Sequence, residues 1–317
     1  MRVLVTGAEG FVGRTLVRRL LVAGHQMRAG IRPGGPLEIP GLAPAERAAV
    51  DRVPLEMLDT ASVAAALDWR PDAVVHLAAV ASGPDARRDV GAAWAVNAAG
   101  TARLADGLGR IRERGEGDPV LLVVSTGEVY GAGVDRPRRE DDALLPCSPY
   151  AASKVGAEVA ALEVWRRTGL RVVIARPFPH TGAGQSDRFV APAFAARLRA
   201  ARRAGTATVA TGNLTPVRDF LHVGDVAEAY LALLARGVPG EAYNVASGEG
   251  VSLDELFRRL ARHVGVAAVP VEDPALLRSA DILHLVGDPS KLRAATGWQP
   301  TIALDRTLKE VADAEAD

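Results

Sequence analysis

Residues 2–25 read RVLVTGAEGFVGRTLVRRLLVAGH, and the pattern changes kind part-way along. Arg2–Thr6 is a short β-branched run, the composition of a strand. Beyond it the apolar residues Phe11, Val12, Leu16 and Leu20 return at helical spacing until Gly24 closes the segment. Gly7, Gly10 and Gly13 stand between strand and helix, three residues apart. Glycines at that spacing let the backbone turn tightly, approach a pyrophosphate, and pack the helix closely on its strand with its N-terminus toward the phosphates. A strand, a glycine triplet and a helix at the head of an alternating chain predict a dinucleotide site.

The alternation continues outward from this unit. Strand-like runs recur at Gln26–Ile31, Ala73–Leu77, Val120–Ser125, Arg171–Ala175 and Glu241–Val245. Helical patterns fall between them at about 60–68, 90–111, 149–168 and 223–236. Apolar, unalternated strands between helices predict an α/β fold: a Rossmann-type doubly wound parallel sheet covered on both faces. After Arg176 the rhythm loosens into Pro- and Gly-containing loops, which suggests a smaller C-terminal substrate lobe. The expected division is residues 1–178 with 218–248 returning to the sheet, and a lobe from 179–217 and 249–317. Arg32–Pro44 reads as a loop, the arginine-rich 197–205 as a solvated helix face, and Ser252 with Glu255 as a capping box.

The totals exclude several classes. Lys plus Arg and Asp plus Glu both number 38, so no basic excess points to nucleic acid or an anionic membrane. No apolar run approaches the ~20 residues that span a bilayer. With no hydrophobic leader ahead of the first strand, a cytoplasmic protein is expected. Cys147 is the only cysteine, so neither an intramolecular disulfide nor a cysteine metal cluster can form. It reads as a small half-buried residue.

The second informative stretch is SPYAASK, Ser148 to Lys154. Ser148 suits an N-cap and Pro149 the first helical position. Val155, Val159 and Leu162 suggest the buried stripe, and Gly169 the stop. Tyr150 and Lys154 then lie one turn apart on one face. At the end of the second strand, where dinucleotide folds usually place an acid for the ribose hydroxyls, stand Ile31 and Arg32. An apolar residue followed by arginine accommodates a 2′-phosphate, which favours NADP(H) over NAD(H).

Gly7-x-x-Gly10-x-x-Gly13, Asp59, His76-Leu77-Ala78-Ala79, Asn97, Tyr150-x-x-x-Lys154 and Arg176-Pro177-Phe178 together resemble the extended short-chain dehydrogenase/reductase family over nearly the whole chain. That resemblance implies an NAD(P)-dependent oxidoreductase. It implies that Phe11, Val12, Leu58, Leu77, Ala78, Ala79 and Pro177 line the cofactor, with Asp59 at the adenine. Asn97 would support the site, and Thr126, Tyr150 and Lys154 would be the catalytic set. Reducing a carbonyl requires a proton on its oxygen, and a tyrosine can supply it. The lysine charge nearby is expected to favour the phenolate over its usual pKa of ~10.

Glu128, two residues beyond Thr126, matches the base of sugar-nucleotide 4,6-dehydratases, but related reductases keep it too. The runs TGNLTPVRDF (211–220), YNVASGEGVSLDEL (243–256) and 277–300 resemble the GDP-4-keto-6-deoxy-D-mannose reductases of the family. In that group Arg218 and Arg278 would grip the substrate diphosphate, although Asp219 and Asp281 offer both arginines a structural ion pair. Two positions depart from the pattern: Pro179 replaces an asparagine that helps hold the substrate, and Ser279-Ala280-Asp281 follows Arg278. The resemblance thus implies a GDP-sugar 4-ketoreductase forming GDP-D-rhamnose, with a dehydratase or epimerase as the rival. A non-catalytic dinucleotide sensor is disfavoured because Tyr150 and Lys154 are both present. A homodimer through helices near 90–111 and 149–168 is also implied.

Overall fold

The structure is a computed structural model and describes residues 1–34, 38–133, 135–277 and 282–314. Six strands open the chain: β1 (Arg2–Thr6), β2 (Gln26–Ile31), β3 (Val50–Pro54), β4 (Ala73–His76), β5 (Val120–Val124) and β6 (Arg171–Pro177). The strand Ala242–Val245 joins them in one seven-stranded sheet, ordered Ala242–Val245, β6, β5, β4, β1, β2, β3. Every neighbouring pair is parallel. This is the expected doubly wound α/β fold. The order reverses between β1 and β4, and a crevice opens there beyond the carboxyl ends of the strands.

The sheet is apolar throughout because helices cover both faces. Val3, Val5, Val75 and Leu122 pack with Leu16, Val17 and Leu20 of α1 (Phe11–Val22) and with Val226, Tyr230 and Leu233 of the helix Val223–Arg236. Leu4, Val74, Leu121 and Val123 face the other layer, built from Leu104, Leu108, Ala161 and Val164. Sequence periodicity misses β3, because VDRVP carries charges and ends in proline. As the edge strand it exposes Asp51 and Arg52, pairs Asp51 with Arg28 at 2.6 Å, and tolerates Pro54.

The pattern at 90–111 is not one regular helix. Val90–Trp94 and Gly100–Glu113 are α-helical, and Ala95–Ala99 between them is a π turn. The wide turn carries Asn97 to the buried side, where it is 1 % exposed. The expected stripe on Pro149–Thr168 holds at Val155 and Leu162, which are half-buried and pack against the core, and is corrected at Val159. Val159 is 60 % exposed, while Lys154, Ala157, Glu158, Ala161 and Val164 are buried. Small alanines and two charged residues fill much of the inward face beside Val164, so hydrophobicity alone misplaces Val159.

A further cluster joins the helices Val190–Ala204, Leu253–Val264 and Leu304–Asp313 through Phe194, Leu198, Phe257, Leu260, Leu308 and Val311. Phe194 and Phe257 meet edge to face at 5.5 Å. The arginine-rich stretch is more than a solvated face. Arg199 donates to the carbonyls of Val311 and Ala312, and Arg202 to that of Val264, satisfying the C-terminal ends of two neighbouring helices. Only half of the capping box forms. Ser252 accepts from the Glu255 N–H at 3.1 Å, but the Glu255 carboxylate takes Arg259 at 2.7 Å instead. Among the described residues no helix is long and apolar enough to cross a membrane.

Candidate active site

The glycine loop is shaped as its spacing demands. Gly7 has φ +66°, and a Cβ there would lie 2.9 Å from the Ala78 backbone nitrogen. A Cβ on Gly13 would lie 2.4 Å from the Gly7 carbonyl oxygen, so only glycine lets α1 pack this closely on β1. Gly10 is exposed at the start of α1, leaving its backbone open to close approach. A buried relay holds the loop from behind. The Ala78 N–H donates to Thr6 Oγ1 at 3.0 Å, and Thr6 Oγ1 lies 2.8 Å from His76 Nδ1. His76 Nε2 lies 3.0 Å from Thr101 Oγ1, whose hydroxyl donates to the Asn97 carbonyl. Because the Thr101 proton is committed to the Asn97 carbonyl, Thr101 Oγ1 accepts from Nε2–H, and the Thr6 hydroxyl donates to the bare Nδ1. Burial, with a lesser push from Lys154, takes His76 down to about 3, so the ring stays neutral.

A cleft of about 1100 Å³ runs from this loop over the sheet. It is lined by Gly7, Gly10, Phe11, Val12, Gly13, Arg32, Leu58, Leu77, Ala78, Ala79, Thr126, Glu128, Tyr150, Lys154, Pro177, Pro179 and Arg218, which brings nearly all the sequence candidates together. Asn97 lies behind the wall, where its amide donates to the Val80 carbonyl and Ser153 Oγ and accepts the Val80 N–H. Asp59 N-caps the helix Thr60–Leu67 through the Ala61 N–H at 2.9 Å, and Glu56 and Leu58 line the wall beside it. Arg278 lies outside the described residues.

The tyrosine helix starts as its sequence suggests, with Ser148 Oγ accepting the Ala151 N–H at 3.1 Å and Pro149 in the first turn. Thr126 follows β5 in extended conformation. Its oxygen accepts the Glu128 N–H at 3.2 Å, and it hydrogen-bonds the Tyr150 side chain. Burial raises the Tyr150 pKa well above its usual value, and the charge of Glu128 raises it further, outweighing the Thr126 bond. The expected drift toward phenolate is therefore reversed in the protein alone. Burial also lowers Lys154 to about 8, against a smaller opposing pull from Glu158.

Sequence reading passed over what stands behind Lys154. Glu158, one turn further on, accepts from Arg176 Nε at 3.1 Å and Nη2 at 2.7 Å, and also from Ser125 Oγ. Arg176 Nη1 donates to Tyr130 Oη at 2.9 Å, and that hydroxyl donates to Asn244 Oδ1 at 2.7 Å. The spacing 150, 154, 158 was the available signal. Tyr230 was also missed. It lines the cleft, is fully buried, and its hydroxyl finds no partner among the described residues.

Three further positions sharpen the picture. Asp219 is committed to a loop, accepting from Ser247, Gly248 and Gly287 backbone N–H groups and from Ser247 Oγ. His180 donates from Nδ1 to the Phe178 carbonyl at 2.9 Å, stacks on Phe11, and is kept neutral by burial. Cys147 is exposed rather than half-buried, in the wall beside Ser148.

Comparison with known proteins agrees with this geometry. The model of the NAD dependent epimerase/dehydratase family matches residues 3–246. The chain belongs to that family. It is an NAD(P)-dependent oxidoreductase of the extended short-chain dehydrogenase/reductase type. GDP-6-deoxy-D-mannose reductase of Pseudomonas aeruginosa is 36 % identical over 98 % of this chain and 95 % of its own. UDP-glucose 4-epimerase of Mycolicibacterium smegmatis is 32 % identical over 96 % and 95 %. The solved structure of RMD from P. aeruginosa, complexed with NADPH, superposes with a TM-score of 0.81 at 33 % identity, covering 98 % of this chain and 97 % of that one. The cradle where a Cβ would collide at Gly7 and Gly13, facing a helix N-terminus, fits the pyrophosphate of such a cofactor.

Proposed function

We propose that this enzyme is a sugar-nucleotide 4-ketoreductase that converts GDP-4-keto-6-deoxy-D-mannose to GDP-D-rhamnose. The observation that carries the reading is Tyr150: half-buried in the cleft wall, hydrogen-bonded to Thr126, and shifted toward its protonated form by desolvation and the charge of Glu128. A ketone reductase must begin with that proton in place, whereas alcohol oxidation, the first step of an epimerase or dehydratase, needs a base there. Full-length similarity to a GDP-6-deoxy-D-mannose reductase supports the same direction and the GDP-linked substrate.

A bound nicotinamide dinucleotide supplies the hydride. Thr126 orients the 4-keto oxygen, and Tyr150 delivers a proton to it as negative charge develops. Lys154, protonated below about 8, stabilises the resulting phenolate and donates to the nicotinamide ribose. Arg218, with Arg278, takes the substrate diphosphate. Arg32 at the end of β2 favours the 2′-phosphate of NADPH, a contact worth ~1.5–3 kcal/mol for a charged hydrogen bond. The enzyme acts as a homodimer, a reading supported by the exposed Val90, Trp94 and Val159 on the adjacent helices. Stoichiometric NADPH oxidation on adding GDP-4-keto-6-deoxymannose tests the function. Formation of a 4-keto sugar from GDP-mannose without added NADPH would refute it.

A further inference from the structure

Glu9 sits inside the glycine loop, between Gly7 and Gly10, and lines the cofactor cleft. One carboxylate oxygen, Oε1, accepts the Arg32 backbone N–H at 3.1 Å, which moors the side chain across the carboxyl ends of β1 and β2. The other, Oε2, is buried and has no hydrogen-bond partner among the described residues. A desolvated carboxylate oxygen without a donor is costly, and such an atom in a ligand cleft marks where a donor belongs. The end of β2 offers Ile31 and no acid.

We infer that Glu9 is the acceptor for the adenosine ribose hydroxyls, supplied from the loop instead of from β2, and that it sets cofactor selectivity against Arg32. A 2′,3′-diol donates to a carboxylate. A 2′-phosphate has no hydroxyl at that position to donate and brings a second negative charge against it. Two side chains at the mouth of one cleft therefore pull in opposite directions: Arg32 toward NADPH, Glu9 toward NADH. The enzyme binds both cofactors, and the advantage of NADPH stays below tenfold. This rests on the proposed function only in placing a nicotinamide dinucleotide in the cleft.

Titration calorimetry of the substrate-free enzyme with NADH and with NADPH tests it in the wild type, Glu9→Gln, Glu9→Ser and Arg32→Ala, with circular dichroism to establish folding. Both Glu9 variants should raise the preference for NADPH over NADH at least fivefold, by tightening NADPH and weakening NADH together. A smaller change in that ratio in the folded variants, or an equal change for both cofactors, overturns the assignment. Arg32→Ala should move the ratio the other way. If it does not while the Glu9 variants do, the Arg32 reading fails and the Glu9 inference stands. If NADPH leads by more than tenfold in the wild type, the opposition from Glu9 is refuted.

Discussion

Glu158 receives Arg176 through both carboxylate oxygens, at 3.1 and 2.7 Å, one helical turn beyond Lys154. Glu158 and Arg176 are both buried, so the pair ties the tyrosine helix to β6 with water excluded. Removing one member leaves the other as a buried charge without its partner. Glu158→Ala should cost about 3–5 kcal/mol in urea unfolding. A loss under ~1 kcal/mol would show that the pair contributes little beyond an exposed one.

Tyr150→Phe keeps the ring and removes the proton. Turnover should fall at least ~100-fold while the dissociation constant for cofactor stays within a few-fold. Lys154→Ala should impair both, because in the proposed mechanism the ammonium serves the phenol and the ribose. Near-wild-type turnover by Tyr150→Phe would remove Tyr150 as the acid.

Glu128 separates the two chemistries that the family shares. Ketone reduction has no C5 proton to remove, so Glu128→Gln should change turnover by less than ~10-fold. A dehydratase relying on it as general base should lose ~100-fold or more. The measurement is steady-state NADPH oxidation at saturating keto sugar, beside product analysis from GDP-mannose.

Lys154 carries a pH prediction of definite sign. Burial lowers its pKa to about 8 from the ordinary lysine value of 10.5, so between these values the unfolded chain binds more protons than the folded one. Stability then rises with pH across that window as the buried ammonium is relieved of its charge. Lys154→Met should accordingly stabilise the substrate-free enzyme at pH 7, by an amount on the order of 1–3 kcal/mol. The difference should shrink toward pH 10. Turnover should move oppositely, with kcat/KM declining above about pH 8 as the lysine loses its proton. Urea unfolding at several pH values, paired with the rate profile, checks both halves.

What the chain determines by itself is local. A β-branched run, three glycines at three-residue spacing and an apolar helical repeat specify a strand, a tight turn and a helix through contacts within about twenty residues. Ser148-Pro149 likewise specifies where the tyrosine helix starts, and i to i+4 geometry places Tyr150 over Lys154. Nearly all the expected lining residues accordingly meet in one cleft.

Tertiary structure decided whatever depends on a partner distant in sequence. Val159 faces out because Ala157 and Ala161 allow the closer approach, and Lys154 and Glu158 can be buried only because β5 and β6 bring Ser125 and Arg176 to Glu158. β3 became a strand because an edge accepts charge and proline on its open side. The proton on Tyr150 is held by the desolvation of a folded cleft and by Glu128 across it, neither of which a one-dimensional spacing contains. Glu9 is one of many acidic residues until the end of β2 comes alongside and the Arg32 N–H takes one of its oxygens, leaving the other buried for a ligand. Periodicity is a property of neighbours along the chain; burial, charge environment and unmet hydrogen bonds belong to neighbours in space.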